Sequence, residues 1–230
     1  MYKHIFFDLD RTLWDFEKNS LEVLLQLYRH YDLLAIGILE SDLFIERYKY
    51  HNEKLWELYR LNKISKEKLR DERFMLTLKD FNIFSDDLAS DLGKEYIKLC
   101  PKKSNLFPYV HSVLKLLKRK YSLHVITNGF EEVQMLKLEN SNLINYFDQI
   151  ITSEQVGFKK PNKQIFRFSL LKVGAKPSEC LMIGDDLHAD ILGAKGVDID
   201  QVFFNPTRLI HSISEITYEI NCLSELKEIL

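Results

Sequence analysis

The feature that most restricts the fold of this chain is the short apolar run Ile5-Phe6-Phe7, which leads directly to Asp8 and Asp10. A continuous apolar run of this length is typical of a strand buried on both faces of a parallel sheet. In open parallel sheets, ligands bind at the carboxyl ends of the strands, where both aspartates fall. Because two carboxylates so close together repel each other, a cation such as Mg²⁺ or a shared proton is needed between them. The stretch therefore predicts a buried first strand with a cation site at its end.

The same stretch also permits a simpler interpretation. Thr12 followed three residues later by Asp15 matches a helix capping box, in which the threonine side chain would cap the helix. Asp8 and Asp10 would then be ordinary loop acids between a strand and a helix. A motif this short leaves both interpretations open, so the rest of the chain has to decide between them.

Composition narrows the class of protein. The chain has 230 residues with 32 basic and 34 acidic side chains, and 46% of its residues are hydrophobic. These values predict a globular protein of one large domain, or of one domain with an insert. The net charge of −2 gives no electrostatic footprint for a nucleic acid polymer or an anionic membrane.

The chain is expected to be cytoplasmic. No apolar run reaches the roughly 20 residues that span a bilayer, and Tyr2-Lys3-His4 does not resemble the start of a signal peptide. The three cysteines are scattered without metal-site spacing, which favours free thiols in a reducing compartment; they are Cys100, Cys180 and Cys222.

A long segment after the first strand, from 15 to 104, carries helical patterns. Apolar residues recur at i, i+3, i+4 and i+7 in four groups, and proline is absent until Pro101. We predict an all-helical insert of about four helices, whose aromatic residues are interpreted as core packing rather than as a cofactor site. Since the insert interrupts the chain directly after the first strand, we interpret it as a cap.

Beyond this insert, strand and helix patterns alternate. Strands are predicted at 123–127, 149–152, 180–183 and 201–204, the last of the sheet, with helices at 110–119, 131–139, 163–171, 187–194 and 223–230. Such alternation indicates a parallel sheet with right-handed crossovers. We therefore predict an α/β fold: a Rossmann-like three-layer parallel sheet built by 1–14 and 105–230, with the helical cap at 15–104.

Polar groups follow three more of the predicted strands, at the same edge as the first two aspartates. Thr127 and Asn128 form a hydroxyl-bearing turn with free backbone N–H groups, which suits a phosphate. Lys160 precedes Pro161, which keeps its backbone extended and could direct the ammonium group into the site. Taken singly, a threonine at a strand end or a surface lysine says little.

The predicted strand at 180–183 leads into Asp185, Asp186 and then Asp190. Either of the first two could instead cap the helix that begins at Leu187. For Asp186, the cap and a role beside a metal stay equally open. Together, however, two carboxylate clusters, a hydroxyl and a lysine each follow a different parallel strand, and this combination predicts a catalytic site.

This ordered set resembles the four motifs of the haloacid dehalogenase-like hydrolases, most of which are phosphatases. Asp8-Leu9-Asp10-Arg11-Thr12 is similar to their first motif, Thr127 to the second, Lys160 to the third, and Gly184-Asp185-Asp186 with Asp190 to the fourth. The resemblance spans the whole chain, including the helical cap. The segments 126–130 and 153–162 further resemble the bacterial pyrimidine 5′-nucleotidase branch of that family.

The resemblance implies a mechanism. Asp8 would attack phosphorus and form an aspartyl-phosphate, and Asp10 would act first as general acid and then as general base. Mg²⁺ would be held by Asp8, Asp185 and the backbone carbonyl of Asp10. Asp190 would orient the metal site through hydrogen bonds.

The resemblance also implies a substrate. Thr127, the Asn128 N–H and Lys160 would bind the phosphoryl oxygens, and the cap would close over the substrate and select the leaving group. The expected partner is a small phosphomonoester, in particular a pyrimidine nucleoside 5′-monophosphate. The oligomeric state stays open.

Several alternatives use the same residues. A sugar-phosphate phosphatase or a phosphomutase would need the whole set. A 2-haloacid dehalogenase needs no metal and no acid at Asp10, since halide leaves unprotonated, so Asp10 and Asp185 favour a phosphatase. A non-catalytic binding protein would more readily have lost one of these acids, and all of them are present.

Overall fold

The first strand, β1 (His4–Phe7), lies inside a parallel six-stranded sheet. We describe a computed structural model in which residues 1–213 and 215–230 are defined. The other strands are β2 (Ser122–Thr127), β3 (Gln149–Thr152), β4 (Cys180–Gly184), β5 (Asp200–Phe204) and β6 (Tyr218–Ile220). Their order is β3-β2-β1-β4-β5-β6, and every neighbouring pair is parallel. The predicted α/β fold is therefore confirmed.

Burial on both faces explains why β1 is a continuous apolar run. Ile5, Phe6 and Phe7 are each 0% exposed. Successive side chains point to opposite faces of a sheet. Phe6 packs in a buried cluster with Ile126, while Phe7 meets Phe147 edge-on, with the ring centroids 6.3 Å apart. Each such side chain stabilises the fold by about 1.5–3 kcal/mol relative to an exposed one, so the end of β1 is firmly held.

The prediction that the sheet ends at 201–204 is wrong, because β6 follows. It pairs with β5 in parallel, with Val202 opposite Tyr218 and Phe204 opposite Ile220. Of the three residues of β6, only Ile220 is buried. A segment this short has neither an apolar run nor an alternation that could identify it as a strand.

The chain forms two compact units. One consists of Met1–Phe16 with Ser104–Leu230, and the other is Glu17–Lys103. The sequence places the insert at 15–104, so the two divisions differ by one or two residues at each boundary.

The segment between β1 and β2 is helical, as predicted. Its four main helices are α1 (Phe16–His30), α2 (Ser41–Arg60), α3 (Lys66–Lys79) and α4 (Asp86–Leu99). Serines cap two of them: Ser65 accepts from the Lys68 N–H at 3.2 Å, and Ser85 accepts from the Leu88 N–H at 3.3 Å. Such caps satisfy backbone donors that the helix itself leaves unpaired, which fixes where α3 and α4 begin.

Aromatic side chains form the core of the helical unit, which confirms their interpretation as core packing. Tyr48, Phe74 and Tyr96 are buried, and the Tyr48 ring centroid lies 4.8 Å from Phe74 and 5.2 Å from Tyr96. Arg73 lies over the Tyr96 ring at 5.1 Å and donates to the Tyr48 hydroxyl at 3.3 Å. The aromatic faces therefore stabilise a buried guanidinium group.

The remaining helices differ from the predicted ones mainly at their ends, except for the short helix Ser153–Val156, which the sequence does not predict. They are α5 (Val110–Leu117), α6 (Glu131–Asn140), α7 (Ser153–Val156), α8 (Lys163–Val173), α9 (Gly193–Lys195) and α10 (Leu226–Ile229). The helix predicted at 187–194 is a π-helix, Leu187–Leu192, that continues into α9. The one predicted at 223–230 begins as a 3₁₀ turn, Leu223–Glu225. No helix among the described residues is long and apolar enough to cross a membrane.

A histidine pair near the start of β1 and β2 links stability to pH. His124 is 2% exposed, its ring lies 5.0 Å from that of Phe6, and its Nε2 is 3.1 Å from Nδ1 of His4. Burial and then the charge of His4 lower the pKa of His124 to about 4, against a weaker raising effect of Asp148. As the pH falls below about 6.5, the unfolded chain therefore takes up a proton that the folded chain does not bind.

We expect the free energy of unfolding to fall by about 2 kcal/mol between pH 7 and pH 4.5 because of His124. Urea unfolding at a series of pH values measures this change. The His124→Leu variant should lose this contribution while keeping every other titrating group, so the difference between the two profiles isolates it. Parallel profiles would mean that His124 is protonated equally well in the folded chain.

Candidate active site

The carboxyl ends of β1 and β4 bring two predicted site residues together. Asp8 follows β1 and Asp185 follows β4, and these strands are direct neighbours. The Asp8 N–H donates to the Ile183 carbonyl at 2.9 Å, so the ladder continues one residue past β1. The chain also changes direction across the sheet here, since β2 and β4 flank β1 on opposite sides. Open α/β sheets bind ligands at such a switch point.

Lys160 lies between two aspartates. Its Nζ is 2.6 Å from Asp8 Oδ1, 2.5 Å from Asp190 Oδ1 and 2.8 Å from the Ile126 carbonyl oxygen. Three acceptors thus use the three hydrogens of the ammonium group, whose side chain is 2% exposed. Burial alone would lower the pKa of Lys160, but Asp190 and Asp8 outweigh this effect and raise the pKa above its ordinary value. The lysine is therefore charged in the folded protein.

Asn128 fixes the loop that carries Lys160. Its Nδ2 donates to the Lys160 carbonyl at 3.0 Å, and its Oδ1 accepts from the Lys160 N–H at 2.8 Å. This pair of bonds ties the turn after β2 to the segment after α7. The role predicted for the backbone N–H of Asn128 in phosphate binding stays a prediction.

Asp8, Asp185 and Asp190 form a cluster in which one oxygen of each lies within 4.8 Å of the other two. Both oxygens of Asp190 are engaged, because Oδ1 accepts from Lys160 and Oδ2 accepts from the Asp186 N–H at 3.1 Å. Asp8 Oδ2 and Asp185 Oδ2, in contrast, accept no hydrogen bond from the residues that the structure describes. These two oxygens are therefore available to a cation.

Thr12 orients Asp185, a role that the sequence does not indicate. Its hydroxyl donates to Asp185 Oδ1 at 2.9 Å, and Thr12 is 0% exposed. The capping-box interpretation is therefore wrong, since α1 begins only at Phe16. A hydrogen bond to a carboxylate is stronger than one to a neutral backbone amide, which explains why the hydroxyl faces the sheet edge.

Asp186 caps the π-helix, which confirms one of its two predicted roles, while the role beside a metal stays a prediction. Its Oδ1 accepts from the backbone N–H groups of His188 and Ala189 at 2.9 and 2.8 Å. Gly184 precedes this pair of acids, and a Cβ there would collide with the Asp190 side chain. Only glycine therefore lets β4 end this close to the helix that carries Asp190.

Burial perturbs all three carboxylates of the cluster. It raises the pKa of Asp8 to about 7, although Lys160 lowers this pKa and Asp190 raises it. Burial, and then repulsion from Asp8 and Asp190, raises the pKa of Asp185 well above its ordinary value. Burial likewise raises the pKa of Asp190. One ammonium group thus faces three carboxylates, of which Asp8 and Asp190 are buried and Asp185 is half-buried, and this excess of negative charge fits a divalent cation with oxygen ligands, such as Mg²⁺.

Asp10, two residues after Asp8, is held by different partners. Lys137 Nζ contacts its two carboxylate oxygens at 2.6 and 2.9 Å, and Gln134 Nε2 donates to Oδ2 at 3.0 Å. Lys137 is 5% exposed and lies over the Trp14 ring, 4.4 Å from its centroid. The two acids of one turn therefore have separate surroundings, as expected for groups with separate roles.

Thr127, the last residue of β2, lies next to Asp10 through a shared partner. Its Oγ1 accepts from Gln134 Nε2 at 2.6 Å and from the Gly129 N–H at 3.0 Å. Thr127 itself is 2% exposed. The structure thus brings Asp8, Asp10 and Thr127 to the same edge of the sheet, as predicted from the positions of the strands.

Comparison with known proteins identifies the family. A model of the haloacid dehalogenase-like hydrolases matches residues 2–198. The chain belongs to this family. It is 32% identical to the pyrimidine 5′-nucleotidase PynA of Streptococcus pneumoniae, over 100% of this chain and 95% of that protein. It is 29% identical to the pyrimidine 5′-nucleotidase YjjG of Escherichia coli, over 98% and 96% of the two chains.

A solved structure supports the same conclusion. The HAD-hydrolase YfnB from Bacillus subtilis, in a crystal form bound to magnesium, superposes with a TM-score of 0.89 and 29% identity, covering 100% of this chain and 98% of that one. The predicted family is therefore confirmed, and the chain is a hydrolase.

Three residues of this haloacid dehalogenase-like hydrolase have site contacts that the sequence does not predict: Thr12, Gln134 and Lys137. The last two are both buried and share one face of α6 with Leu138. An amphipathic helix normally carries apolar residues on its buried face. A glutamine and a lysine on that face, directly after the Thr127 turn, are the signal by which they could have been found.

Proposed function

We propose that this hydrolase cleaves phosphomonoesters through an aspartyl-phosphate on Asp8, with Mg²⁺ as cofactor, and that its substrates are pyrimidine nucleoside 5′-monophosphates. The observation that carries the proposal is the separation of Asp8 from Asp10. Asp8 lies 2.6 Å from the Lys160 ammonium group, whereas Asp10 is held by Lys137 and Gln134. A dehalogenase has no use for a second, independently held acid, because halide leaves without a proton.

In the first step, a carboxylate oxygen of Asp8 attacks phosphorus. The bond from phosphorus to the ester oxygen breaks, and Asp10 donates a proton to the departing alkoxide. The products are the free alcohol and an aspartyl-phosphate on Asp8. Without that proton, the leaving group would be a strongly basic alkoxide, which is why alkyl esters need the acid.

In the second step, water attacks the phosphorus of the aspartyl-phosphate. Asp10, now ionised, accepts a proton from this water, and the bond from phosphorus to the Asp8 oxygen breaks. Inorganic phosphate is released and both carboxyl groups return to their starting states. One residue thus serves as acid and then as base.

Phosphoryl oxygens carry negative charge in both steps, and three groups are proposed to bind them. They are the Thr127 hydroxyl, the backbone N–H of Asn128 and the Lys160 ammonium group, whose hydrogen bond to Asp8 would be exchanged for one to a phosphoryl oxygen when the substrate binds. Such donors accelerate a reaction most when they are already oriented. Asn128 supplies that orientation for Lys160, since it bonds to both backbone groups of the lysine.

Mg²⁺ is proposed to be held by Asp8, Asp185 and the backbone carbonyl of Asp10, with Asp190 orienting the site. The excess of carboxylates over ammonium groups in this cluster and the two free oxygens of Asp8 and Asp185 support this choice. When bound, the ion would neutralise charge between the nucleophile and the phosphoryl group. The choice of a pyrimidine nucleotide rests on PynA and YjjG, whose names give that substrate class.

Phosphate release from a panel of phosphomonoesters tests the proposal. The panel contains UMP, dUMP, TMP, purine nucleotides and sugar phosphates, each assayed with Mg²⁺ and with excess EDTA. We expect release to be fastest with the pyrimidine monophosphates and to fall by at least about 10²-fold in EDTA. Faster release from sugar phosphates would keep the chemistry and refute the nucleotide specificity. Release that EDTA leaves unchanged would refute the metal.

A further inference from the structure

We propose that Gln134 and Lys137, which lie one turn apart on α6, are positioning residues that hold Asp10 and Thr127 in their working orientations. The proposal rests on the proposed function, because it assigns Asp10 to the acid and base steps and Thr127 to the phosphoryl group. Neither side chain needs to touch the substrate itself.

Gln134 joins the two functional groups through a single atom. Its Nε2 carries two hydrogens, and it has two acceptors: Asp10 Oδ2 at 3.0 Å and Thr127 Oγ1 at 2.6 Å. The side chain is 0% exposed, and its Oε1 has no hydrogen-bond partner among the described residues. An unpaired buried oxygen costs about 1–3 kcal/mol, so an apolar residue here would serve stability better. Gln134 is therefore better explained by its two amide bonds than by packing.

The amide also determines what the Thr127 hydroxyl can do. This hydroxyl has two lone pairs and one hydrogen, and Oγ1 already accepts from Gln134 and from the Gly129 N–H at 3.0 Å. Its hydrogen is therefore left to donate, as a phosphoryl oxygen requires. A Cβ at position 129 would collide with the Gln134 side chain, so the glycine leaves room for the amide.

Lys137 fixes the other side of Asp10. Its Nζ contacts both carboxylate oxygens of Asp10, at 2.6 and 2.9 Å. Together with the bond from Gln134, these contacts fix the plane of the carboxylate. The Trp14 ring lies 4.4 Å from the same ammonium nitrogen, so the lysine is enclosed between the indole and the carboxylate. A general acid must be held within hydrogen-bonding reach of the leaving oxygen, and this enclosure stops Asp10 from rotating away.

Two substrates, one whose leaving group needs a proton and one whose leaving group does not, distinguish a positioning role from a merely structural one. Lys137→Met and Gln134→Met keep an unbranched side chain of similar length and remove the donors. With the best nucleoside monophosphate, we expect kcat to fall by about 10- to 100-fold in each variant, with KM changed less than about threefold. With p-nitrophenyl phosphate, whose phenolate leaves without a proton, the first turnover of Lys137→Met should stay close to wild type, because Lys137 acts on the site through its hydrogen bonds to Asp10. Gln134→Met should lose less with this substrate than with the nucleotide, since only its effect through Thr127 remains. Hydrolysis of the aspartyl-phosphate then limits the rate, so a burst of p-nitrophenolate should appear.

Two controls accompany these variants. Lys137→Arg keeps a cation at Asp10 and should restore kcat to within about fivefold of wild type. Lys172→Met makes the same change at an exposed lysine of α8 and should leave both substrates unaffected. Positioning would be refuted if the first-turnover rate fell equally with both substrates, or if kcat with the nucleotide did not fall. A wild-type enzyme that releases phosphate from neither substrate would instead refute the proposed function, and positioning with it.

Discussion

Replacing Asp8 with asparagine is expected to reduce phosphate release by a factor of about 10³ or more. An amide oxygen cannot form the aspartyl-phosphate, so neither step can proceed through this residue. The fold should persist, because Lys160 keeps its bonds to Asp190 at 2.5 Å and to the Ile126 carbonyl at 2.8 Å. Steady-state kcat with the best substrate of the panel, together with a thermal melting curve, measures both expectations.

Two further variants test whether the loss of activity in Asp8→Asn is specific to the nucleophile. Asp8→Glu keeps the charge but moves the oxygen by one methylene, so it should be nearly as inactive as Asp8→Asn. Asp186→Asn makes the same acid-to-amide change nearby, where the side chain caps the π-helix, and asparagine caps equally well. We expect its activity to stay within about threefold of wild type. If Asp8→Asn retained more than about a tenth of the activity, another group would have to be the nucleophile.

The sheet could be predicted largely because its strands are long enough to carry a pattern. Ile5-Phe6-Phe7 is apolar throughout because both faces of β1 are buried, and the run shows it directly. β6 could not be found in this way. Its residues Tyr218 and Glu219 are exposed, and the strand exists because β5 offers a free backbone edge. Backbone pairing with β5 does not require any recognisable residue pattern in a strand of three residues.

Some residues of the candidate site could be predicted from the sequence and others could not. Asp8, Thr127 and Asp185 end or follow parallel strands, so topology alone brings them to one edge. Lys137 contacts Asp10 over a sequence separation of 127 residues, and Thr12 contacts Asp185 over 173 residues. These contacts depend instead on the direction in which a single side chain points. Helical periodicity states which face of α6 is buried, but not which carboxylate that face will meet.

Replacing Lys160 with methionine is expected to cost both stability and activity. The variant leaves Asp8 and Asp190 buried without the ammonium group that now bonds to each of them. Removing one partner from a buried charge cluster costs about 3–5 kcal/mol, which lowers the melting temperature by about 10 °C in a chain of this length. Activity should fall at least about 10²-fold, since a donor to the phosphoryl oxygens is lost as well.

Added Mg²⁺ should return part of the lost stability to Lys160→Met. The ion supplies positive charge to the same carboxylates, and excess EDTA should remove the gain. Melting curves of the variant with Mg²⁺ and with EDTA measure this effect without any reference to turnover. A variant that melts at the same temperature in both solutions would contradict a cation site at Asp8 and Asp185.

A double variant distinguishes the effect of Lys160 on stability, through the balance of buried charges, from its effect on activity. In Lys160→Met/Asp190→Asn, one carboxylate is neutralised together with the lysine, and the asparagine oxygen can still accept from the Asp186 N–H. Stability should therefore recover towards wild type, while activity stays low because no ammonium group faces the substrate. Lys172→Met, at the exposed lysine of α8, should change neither quantity appreciably. Recovery of stability without recovery of activity would mean that charge balance among the buried carboxylates determines stability, and that catalysis needs the Lys160 ammonium group itself.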